Sequence, residues 1–197
     1  MSELLRHVTG FVVAGGRSQR MGRDKALLPW RDGTLLDCAL ERLRAVTGDV
    51  RILSGPELRY ADRGVPVLTD VPAPESGSLV GLLSGLMALE RRLGLFLAVD
   101  LPNVPTELLR HLVRIGEDVD VAVPISPGGP EPLCAVYAES CKEPIRRAIT
   151  RDELKMTSFW SEVRVRRVTA DELLPFGDLD RLFLNVNSLE DYERALP

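Results

Sequence analysis

The sequence predicts a doubly wound α/β fold with a mainly parallel sheet, and two patterns lead to this prediction. Short apolar segments recur along the chain as near-continuous runs, which is typical of strands buried on both faces of a sheet. Segments with helical periodicity lie between them, which is the order expected of βαβ units. The chain has 197 residues and no repeat, low-complexity tract or linker that would divide it. We therefore expect residues 1–197 to form a single domain.

The first part of the chain supplies most of the predicted elements. Strands are expected at residues 8–13, 50–53, 65–68, 95–99 and 119–123. Helices are expected at residues 35–46, 77–93 and 106–115, and Thr34 is placed to cap the first of them. This alternation is what a parallel sheet with helical crossovers requires.

The pattern changes after residue 123. A short strand is predicted at residues 133–137 and a helix at 143–149. Val163, Val165 and Val168 then alternate with arginines, which indicates an edge strand with one face in water. Ser188, with Asp191 three residues later, is typical of the capping box that begins a helix.

Composition and charge exclude several classes of function. Hydrophobic residues make up 45% of the chain and charged residues 27%, as in ordinary soluble proteins. The net charge of −4 gives no global argument for nucleic-acid binding. The three cysteines show no C-x-x-C spacing, which fits a reducing cytoplasm rather than a disulfide or zinc framework. No segment approaches the roughly 18 apolar residues of a membrane span. We expect a cytoplasmic protein without nucleic-acid or membrane partners.

The stretch after the first predicted strand carries the most specific signal. Two glycines and four cations follow it directly: Gly15, Gly16, Arg17, Arg20, Arg23 and Lys25. In open α/β sheets ligands bind beyond the carboxyl ends of the strands, and glycine lets backbone N–H groups approach an anion. The spacing matches neither a Walker A loop nor G-x-G-x-x-G. The design suits a polyphosphate, and the alternative is a glycine turn with solvated arginines.

Two further strands end in a carboxylate. Asp100 follows an apolar strand and precedes Leu101-Pro102, where it would either hold Mg²⁺ or cap the next turn. Asp70 ends another strand ahead of a helix in which Gly77, Gly81 and Gly85 recur at intervals of four. Such a face of small residues allows either close approach of a flat ligand or tight helix–sheet packing.

Residues 14–25, A-G-G-R-S-Q-R-M-G-R-D-K, resemble the signature A-G-G-x-S-x-R-M-G-x-D-K of the MobA-like nucleotidyltransferases. Residues 98–102 resemble the family's A-[CV]-D-x-P, and residues 185–191 resemble its N-x-N-[ST]-x-x-D. Two stretches depart from the family pattern. Ser78 and Val80 replace Pro and Ala in G-P-L-A-G-L, and Glu131 replaces His in H-P-L-x-A-x-Y. The resemblance implies a three-layer α/β/α Rossmann-like nucleotidyltransferase fold with a mainly parallel mixed sheet.

The resemblance also implies a role for each matching residue. The nucleotide would contact Val13, Ala14, Gly15, Gly16, Lys25, Asp70, Gly81 and Asp100. The catalytic residues would be Arg20, Lys25 and Asp100, with Mg²⁺ on Asp100 and the acceptor beside Asn185 and Asn187. Asp24 would either position Lys25 or cap a turn, and Glu131 receives no proton-transfer role.

The chain is most similar to the family's molybdenum cofactor guanylyltransferases, because A-G-G is the form of the loop in members that use guanine. The implied reaction transfers GMP from GTP to the terminal phosphate of molybdopterin and releases pyrophosphate, with transient partner proteins of cofactor biosynthesis. In-line attack by that phosphate needs no protein nucleophile. Two alternatives remain open: a relative that uses CTP or another phosphorylated acceptor, and a nucleotide-binding regulator without catalysis.

Overall fold

The computed structural model describes residues 3–15, 24–73 and 77–196. Within them the strands are β1 (Val8–Val13), β2 (Pro29–Trp30), β3 (Gly33–Thr34), β4 (Asp49–Leu53), β5 (Val67–Leu68), β6 (Leu93–Ala98), β7 (Val121–Ser126), β8 (Gly129–Pro130), β9 (Cys134–Ala138) and β10 (Val165–Val168). The α-helices are α1 (Leu35–Arg44), α2 (Ser78–Met87), α3 (Thr106–Gly116), α4 (Lys142–Thr150), α5 (Ala170–Leu173), α6 (Leu179–Leu182) and α7 (Leu189–Ala195). None of the described helices is long and apolar enough to cross a membrane.

The central sheet has the strand order β10-β7-β9-β6-β1-β4-β5, with β8 paired to β7. Strand β1 lies parallel to both β4 and β6, and β10 lies parallel to β7. Strand β9 is antiparallel to β6 and to β7. The sheet is therefore mixed and mainly parallel, as predicted, and β10 is the predicted edge strand.

Helices cover both faces of this sheet, so the three-layer prediction is confirmed. One core joins α1 and α3 to the sheet, and Val8 and Val12 of β1 point into it. The opposite core joins α2 and α4, and Phe11 of β1 lies in it. Alternate residues of β1 thus enter different cores, which explains why the strand is apolar along its whole length.

Several predicted boundaries were wrong, and two elements show the reason. The helix expected at residues 77–93 ends at Met87, and Leu93 instead begins β6, where it pairs with Val8. The strand expected at residues 119–123 begins at Val121 and runs to Ser126. Apolar runs of this kind fit a helix and a strand equally well, and backbone pairing with a neighbouring strand decides between them.

The predicted helix caps are present. The Thr34 hydroxyl accepts a hydrogen bond from the Asp37 N–H at 3.2 Å, and the Asp37 carboxylate accepts one from the Thr34 N–H at 3.0 Å. Ser188 accepts a hydrogen bond from the Asp191 N–H at 3.1 Å and so caps α7. Both satisfy N–H groups that a helix start leaves unpaired.

Gly85 is required by helix–sheet packing. A Cβ atom at this position would lie 2.7 Å from Phe96 Cε1 and 3.1 Å from Leu53 Cδ1. Phe96 is fully buried and stacks on Phe11 with ring centroids 4.8 Å apart, so its ring has no free direction in which to move. For Gly85, the packing alternative from the sequence is the one that the structure supports.

Replacement of Gly85 tests this packing. Alanine in a helix interior normally gains about 1 kcal/mol over glycine. We expect Gly85→Ala instead to lower the free energy of unfolding by about 1–2 kcal/mol, because the added methyl group overpacks the core. Urea denaturation measures it.

Gly48→Ala is the control, since its Cβ would meet only Leu4 Cδ1 at 3.9 Å. This variant is expected to stay within about 0.5 kcal/mol of wild type. A Gly85→Ala protein more stable than wild type would contradict the packing argument.

Candidate active site

A cleft of about 470 Å³ opens at the carboxyl ends of β1 and β4, beside the start of α2. Four of the residues predicted to bind nucleotide line it: Val13, Gly15, Asp70 and Gly81. The position is the one expected for a ligand in an open α/β sheet, beyond the strand ends. The volume lies within the range of small-molecule pockets, about 300–1,000 Å³.

Lys25 and Asp100 meet beside this cleft. The Lys25 ammonium donates to Asp100 Oδ2 at 2.6 Å and to Asn187 Oδ1 at 3.2 Å. Only 19% of each of the Lys25 and Asp100 side chains is exposed, so solvent screens the ion pair incompletely. Two residues 75 positions apart in the chain, both predicted to be catalytic, therefore form one charged pair.

The backbone explains why these groups meet. The Val99 N–H donates to the Val13 carbonyl at 3.1 Å, which extends the pairing of β1 and β6 up to the residue before Asp100. The Val186 N–H donates to the Asp100 carbonyl at 3.0 Å and brings the segment with Asn187 to the same place. Strand pairing and one added hydrogen bond thus gather three distant stretches of sequence.

The oxygen atoms around Lys25 suit a hard divalent cation. A carboxylate from Asp100 and an amide oxygen from Asn187 are ligands that Mg²⁺ accepts. Among the described residues no group of three or more His, Cys, Asp or Glu side chains is arranged to hold a metal. An ion here would therefore take its remaining ligands from phosphate oxygens and water, which is usual for Mg²⁺ in nucleotide sites.

Asp24 accepts hydrogen bonds from several donors. It accepts from the Ala26 N–H at 3.1 Å and so caps the short 3-10 helix Lys25–Leu27. The Tyr60 hydroxyl donates to both carboxylate oxygens, at 2.9 and 2.7 Å, and the Arg59 guanidinium lies 3.3 Å away. The cap expected as one alternative is present, and the contacts from residues 59 and 60 add to it.

Gly15 is held tightly against a neighbouring loop. A Cβ atom there would lie 2.8 Å from the Gly55 nitrogen and 2.9 Å from its Cα. These are backbone atoms, which cannot move aside as a side chain does. The second residue of A-G-G is therefore glycine for a packing reason, whatever base the cleft binds.

Asp70 and Gly81 face each other at the cleft wall. A Cβ at Gly81 would lie 3.6 Å from Asp70 Oδ1, which is ordinary contact. Burial raises the pKa of the Asp70 carboxyl above its usual value. A half-buried carboxyl group at the wall of a pocket is a candidate partner for ligand N–H or O–H groups.

Glu131 lies on the other side of Asp100. The Ser126 hydroxyl donates to Glu131 Oε1 at 2.7 Å. Burial raises the pKa of Glu131, a raise opposed by the Ser126 hydrogen bond and assisted by the charge of Asp100. Residues 127 and 128 form the turn that joins β7 to β8.

Gly16, Arg20 and Asn185 were also predicted to belong to the site. Gly16 and Arg20 lie outside the described residues, and their roles stay predictions. The Asn185 amide donates to the Phe183 carbonyl at 3.2 Å and makes no described contact with Lys25 or Asp100. The sequence also has a run of basic residues at 146–155, whose arginines pair with Glu143, Glu153 and Glu162, as in a solvated face.

Sequence reasoning missed the loop after β4. Residues 54–57 and Arg59 line the cleft, and Tyr60 contacts Asp24. The stretch S-G-P-E-L-R-Y contains turn residues but no pattern of charged or glycine residues that predicts a site. The available signal was its place after a buried strand that is parallel to β1, since such strand ends share one edge of the sheet.

Comparisons with known proteins agree with the motif analysis. The MobA-like NTP transferase domain matches residues 10–168. A probable molybdenum cofactor guanylyltransferase from Pelotomaculum thermopropionicum is 33% identical, covering 95% of this chain and 91% of its own. A molybdenum cofactor guanylyltransferase from Desulfosudis oleivorans is 31% identical, covering 95% and 94%. Molybdopterin-guanine dinucleotide biosynthesis protein A from Archaeoglobus fulgidus, a crystal structure, superposes with a TM-score of 0.81 at 25% identity, covering 95% and 96%.

The raised pKa of Asp70 predicts a pH-dependent stability. The folded protein binds this proton more tightly than the unfolded chain, so the stabilisation is complete below the ordinary pKa of 3.8 and is lost as pH rises through the folded pKa. We therefore expect Asp70→Asn to have a Tm a few degrees above wild type at about pH 7. The difference should shrink as the pH falls toward about 3.5.

Thermal unfolding followed by circular dichroism across this pH range measures the effect. Asp118→Asn, on the exposed turn after α3, is the control and should follow wild type throughout. A lower Tm for Asp70→Asn at neutral pH would show that burial of the carboxylate does not disfavour the folded state.

Proposed function

Since the chain belongs to the MobA-like NTP transferase family, we propose that it transfers GMP from GTP to the terminal phosphate of a molybdopterin acceptor. Pyrophosphate is the second product, and Mg²⁺ is the metal ion. Family membership makes the chain a nucleotidyltransferase. The nucleotide, the acceptor and the metal are the finer parts of the proposal.

One observation carries the proposal: the Lys25–Asp100 pair stands beside the cleft lined by Val13, Gly15 and Asp70. A cation and a carboxylate next to a pocket at a strand edge are what a nucleotide triphosphate with its metal requires. The pocket takes the nucleoside, and the charged pair takes the phosphates. A pocket for a neutral ligand would need neither charge.

The chemistry follows from charge. The reaction brings an acceptor phosphate against the α-phosphate of the nucleotide, so two anions must approach in line. No protein nucleophile takes part, and catalysis consists of positioning and electrostatic stabilisation. The Lys25 ammonium binds the β- and γ-phosphates and stabilises the negative charge that grows on them as pyrophosphate leaves. Arg20, in the same signature, is proposed to share this role.

Asp100 and Asn187 are the residues proposed to hold Mg²⁺. When bound, the ion neutralises phosphate charge and aligns the reacting groups. Lys25 donates to both oxygens in this structure, and its ammonium would turn toward the phosphates when these oxygens hold the ion. Asn187 is exposed, and Asn185 lies two residues before it, so the proposed acceptor side faces solvent.

The choice of guanine rests on the relatives. Two that cover nearly the whole chain at 31–33% identity carry the name molybdenum cofactor guanylyltransferase. The glycine at position 15 adds nothing to this choice, because packing against Gly55 already requires it. Transfer from CTP, or to another phosphorylated acceptor, is the alternative that an assay must separate.

A four-nucleotide assay tests the proposal. Purified protein with Mg²⁺ is given each of GTP, CTP, ATP and UTP with Mo-molybdopterin, and pyrophosphate release is followed. GTP is expected to be the preferred substrate. Release with CTP alone would move the protein to a cytidylyl-transferring role. GTP binding with no pyrophosphate from any acceptor would favour a regulator.

Lys25→Ala tests the role of the ammonium. Its charge matters most as pyrophosphate leaves, so we expect kcat to fall about 10²–10³-fold, with a much smaller change in the KM for GTP. Lys142→Ala is the matched control, since its side chain is also 19% exposed and pairs with a carboxylate, that of Glu139. Unchanged turnover in Lys25→Ala would remove Lys25 from the mechanism.

A further inference from the structure

We propose that Tyr60 and Arg59 are positioning residues that hold Lys25 in place through Asp24. The inference rests on the proposed function, because Lys25 must be where the phosphates arrive. Neither Tyr60 nor Arg59 lies in a motif that predicted the site. Both come from the loop after β4, which lies on the opposite side of β1 from β6, the strand that precedes Asp100.

The side chain of Tyr60 is buried, and its hydroxyl contacts Asp24. Its hydroxyl donates to the two oxygens of Asp24 at 2.9 and 2.7 Å, and only 8% of the residue is exposed. Its backbone has φ 64°, in the left-handed region that a bulky side chain disfavours. Strain of this kind persists where the surroundings impose it, and here it accompanies a buried hydroxyl aimed at a carboxylate.

The Tyr60 hydroxyl stays a donor at all working pH values. Burial is the main cause that raises its pKa well above the usual value, and the hydrogen bond to Asp24 adds to it. The Tyr60 hydroxyl is therefore a donor to Asp24 at neutral pH.

Asp24 links the residues of the loop after β4 to the turn that contains Lys25. It accepts from the Ala26 N–H at 3.1 Å, and its carbonyl accepts from the Leu27 N–H at 3.1 Å. These two bonds close the turn that contains Lys25, so the orientation of Asp24 sets the direction of the next side chain. That side chain ends 2.6 Å from Asp100 Oδ2.

Arg59 connects Asp24 to the end of β1. One end of its guanidinium lies 3.3 Å from Asp24 Oδ2, and the other donates to the Ala14 carbonyl at 3.1 Å and to the Ser54 carbonyl at 3.0 Å. Its charge also lies 5.0 Å from the centre of the Tyr60 ring. The planar guanidinium of Arg59 thus holds Ala14, at the end of β1, at a fixed distance from Asp24. Asp24 directly precedes Lys25 in the chain.

A simple cap does not account for this arrangement. The 3-10 helix at residues 25–27 is three residues long, and the Ala26 N–H alone satisfies the cap. The additional donors come from a loop 35 and 36 positions away, and they bind the same carboxylate. A carboxylate bound both by its own turn and by a distant loop fixes geometry beyond what the helix start requires.

A double-mutant cycle in the Mg²⁺–GTP reaction with Mo-molybdopterin separates positioning from general stability. Tyr60→Phe is expected to lower kcat about tenfold, since small misplacement of a reacting group is costly. In the Lys25→Ala background the same change should alter kcat by less than about twofold, because the residue through which it acts is gone. An equal loss in both backgrounds would overturn the inference, as would full activity of Tyr60→Phe.

Two further variants sharpen the cycle. Tyr192→Phe is the matched control, because it removes a hydroxyl that bonds the Pro29 carbonyl, and it should behave as wild type. Arg59→Lys keeps the charge but loses the fork, and it should lower kcat in the wild-type background only. It also keeps the inference testable if Tyr60→Phe folds poorly.

Reductive methylation gives a readout that needs no reaction. The rate at Lys25, measured by mass spectrometry of its peptide, should rise several-fold in Tyr60→Phe and stay unchanged in Tyr192→Phe. If wild type releases no pyrophosphate from any nucleotide, the proposed function fails while this measurement still decides the positioning role. An unchanged methylation rate in Tyr60→Phe would overturn the inference by itself.

Discussion

The parallel pairing of β1 with β6 is the constraint on which the rest of the site depends. The pairing joins Val13 to Ala98, and the Val99 N–H extends it by one more bond to the Val13 carbonyl. Whatever follows the two strands must then emerge at one edge of the sheet, a few ångströms apart. A signature loop follows one of them, and an aspartate follows the other. The register of the two strands thus places the start of the signature loop beside Asp100, and the Lys25–Asp100 ion pair forms there.

Positive charge is concentrated near the cleft, although the whole chain is negatively charged. The protein carries a net charge of −4, which by itself repels a polyphosphate. The cleft compensates with Lys25 and Arg59, each already paired with a carboxylate, Asp100 and Asp24 respectively. Each carboxylate offsets part of the cost of keeping its cation partly buried. The pairs thus hold both cations in place.

Three glycines show the limit of what a sequence motif predicts. Gly15, Gly81 and Gly85 all belonged to stretches that suggested a site, yet their surroundings differ, and only Gly15 and Gly85 lack room for a Cβ atom. Gly15 touches the backbone of Gly55, Gly85 touches the ring of Phe96, and Gly81 lies at the cleft wall beside Asp70. Sequence spacing predicts that small residues are needed, but it does not say whether the neighbour is a ligand or the protein itself.

The sequence by itself determined the fold class and the family, and it predicted Lys25, Asp70 and Asp100 as site residues, because buried strands, strand-end carboxylates and a long signature are local patterns. Only the tertiary structure decided that helix α2 stops at Met87, that Asn187 rather than Asn185 contacts Lys25, and that Arg59 and Tyr60 hold Asp24. These depend on strand pairing and on contacts between loops far apart in the chain. No short window of sequence contains such contacts.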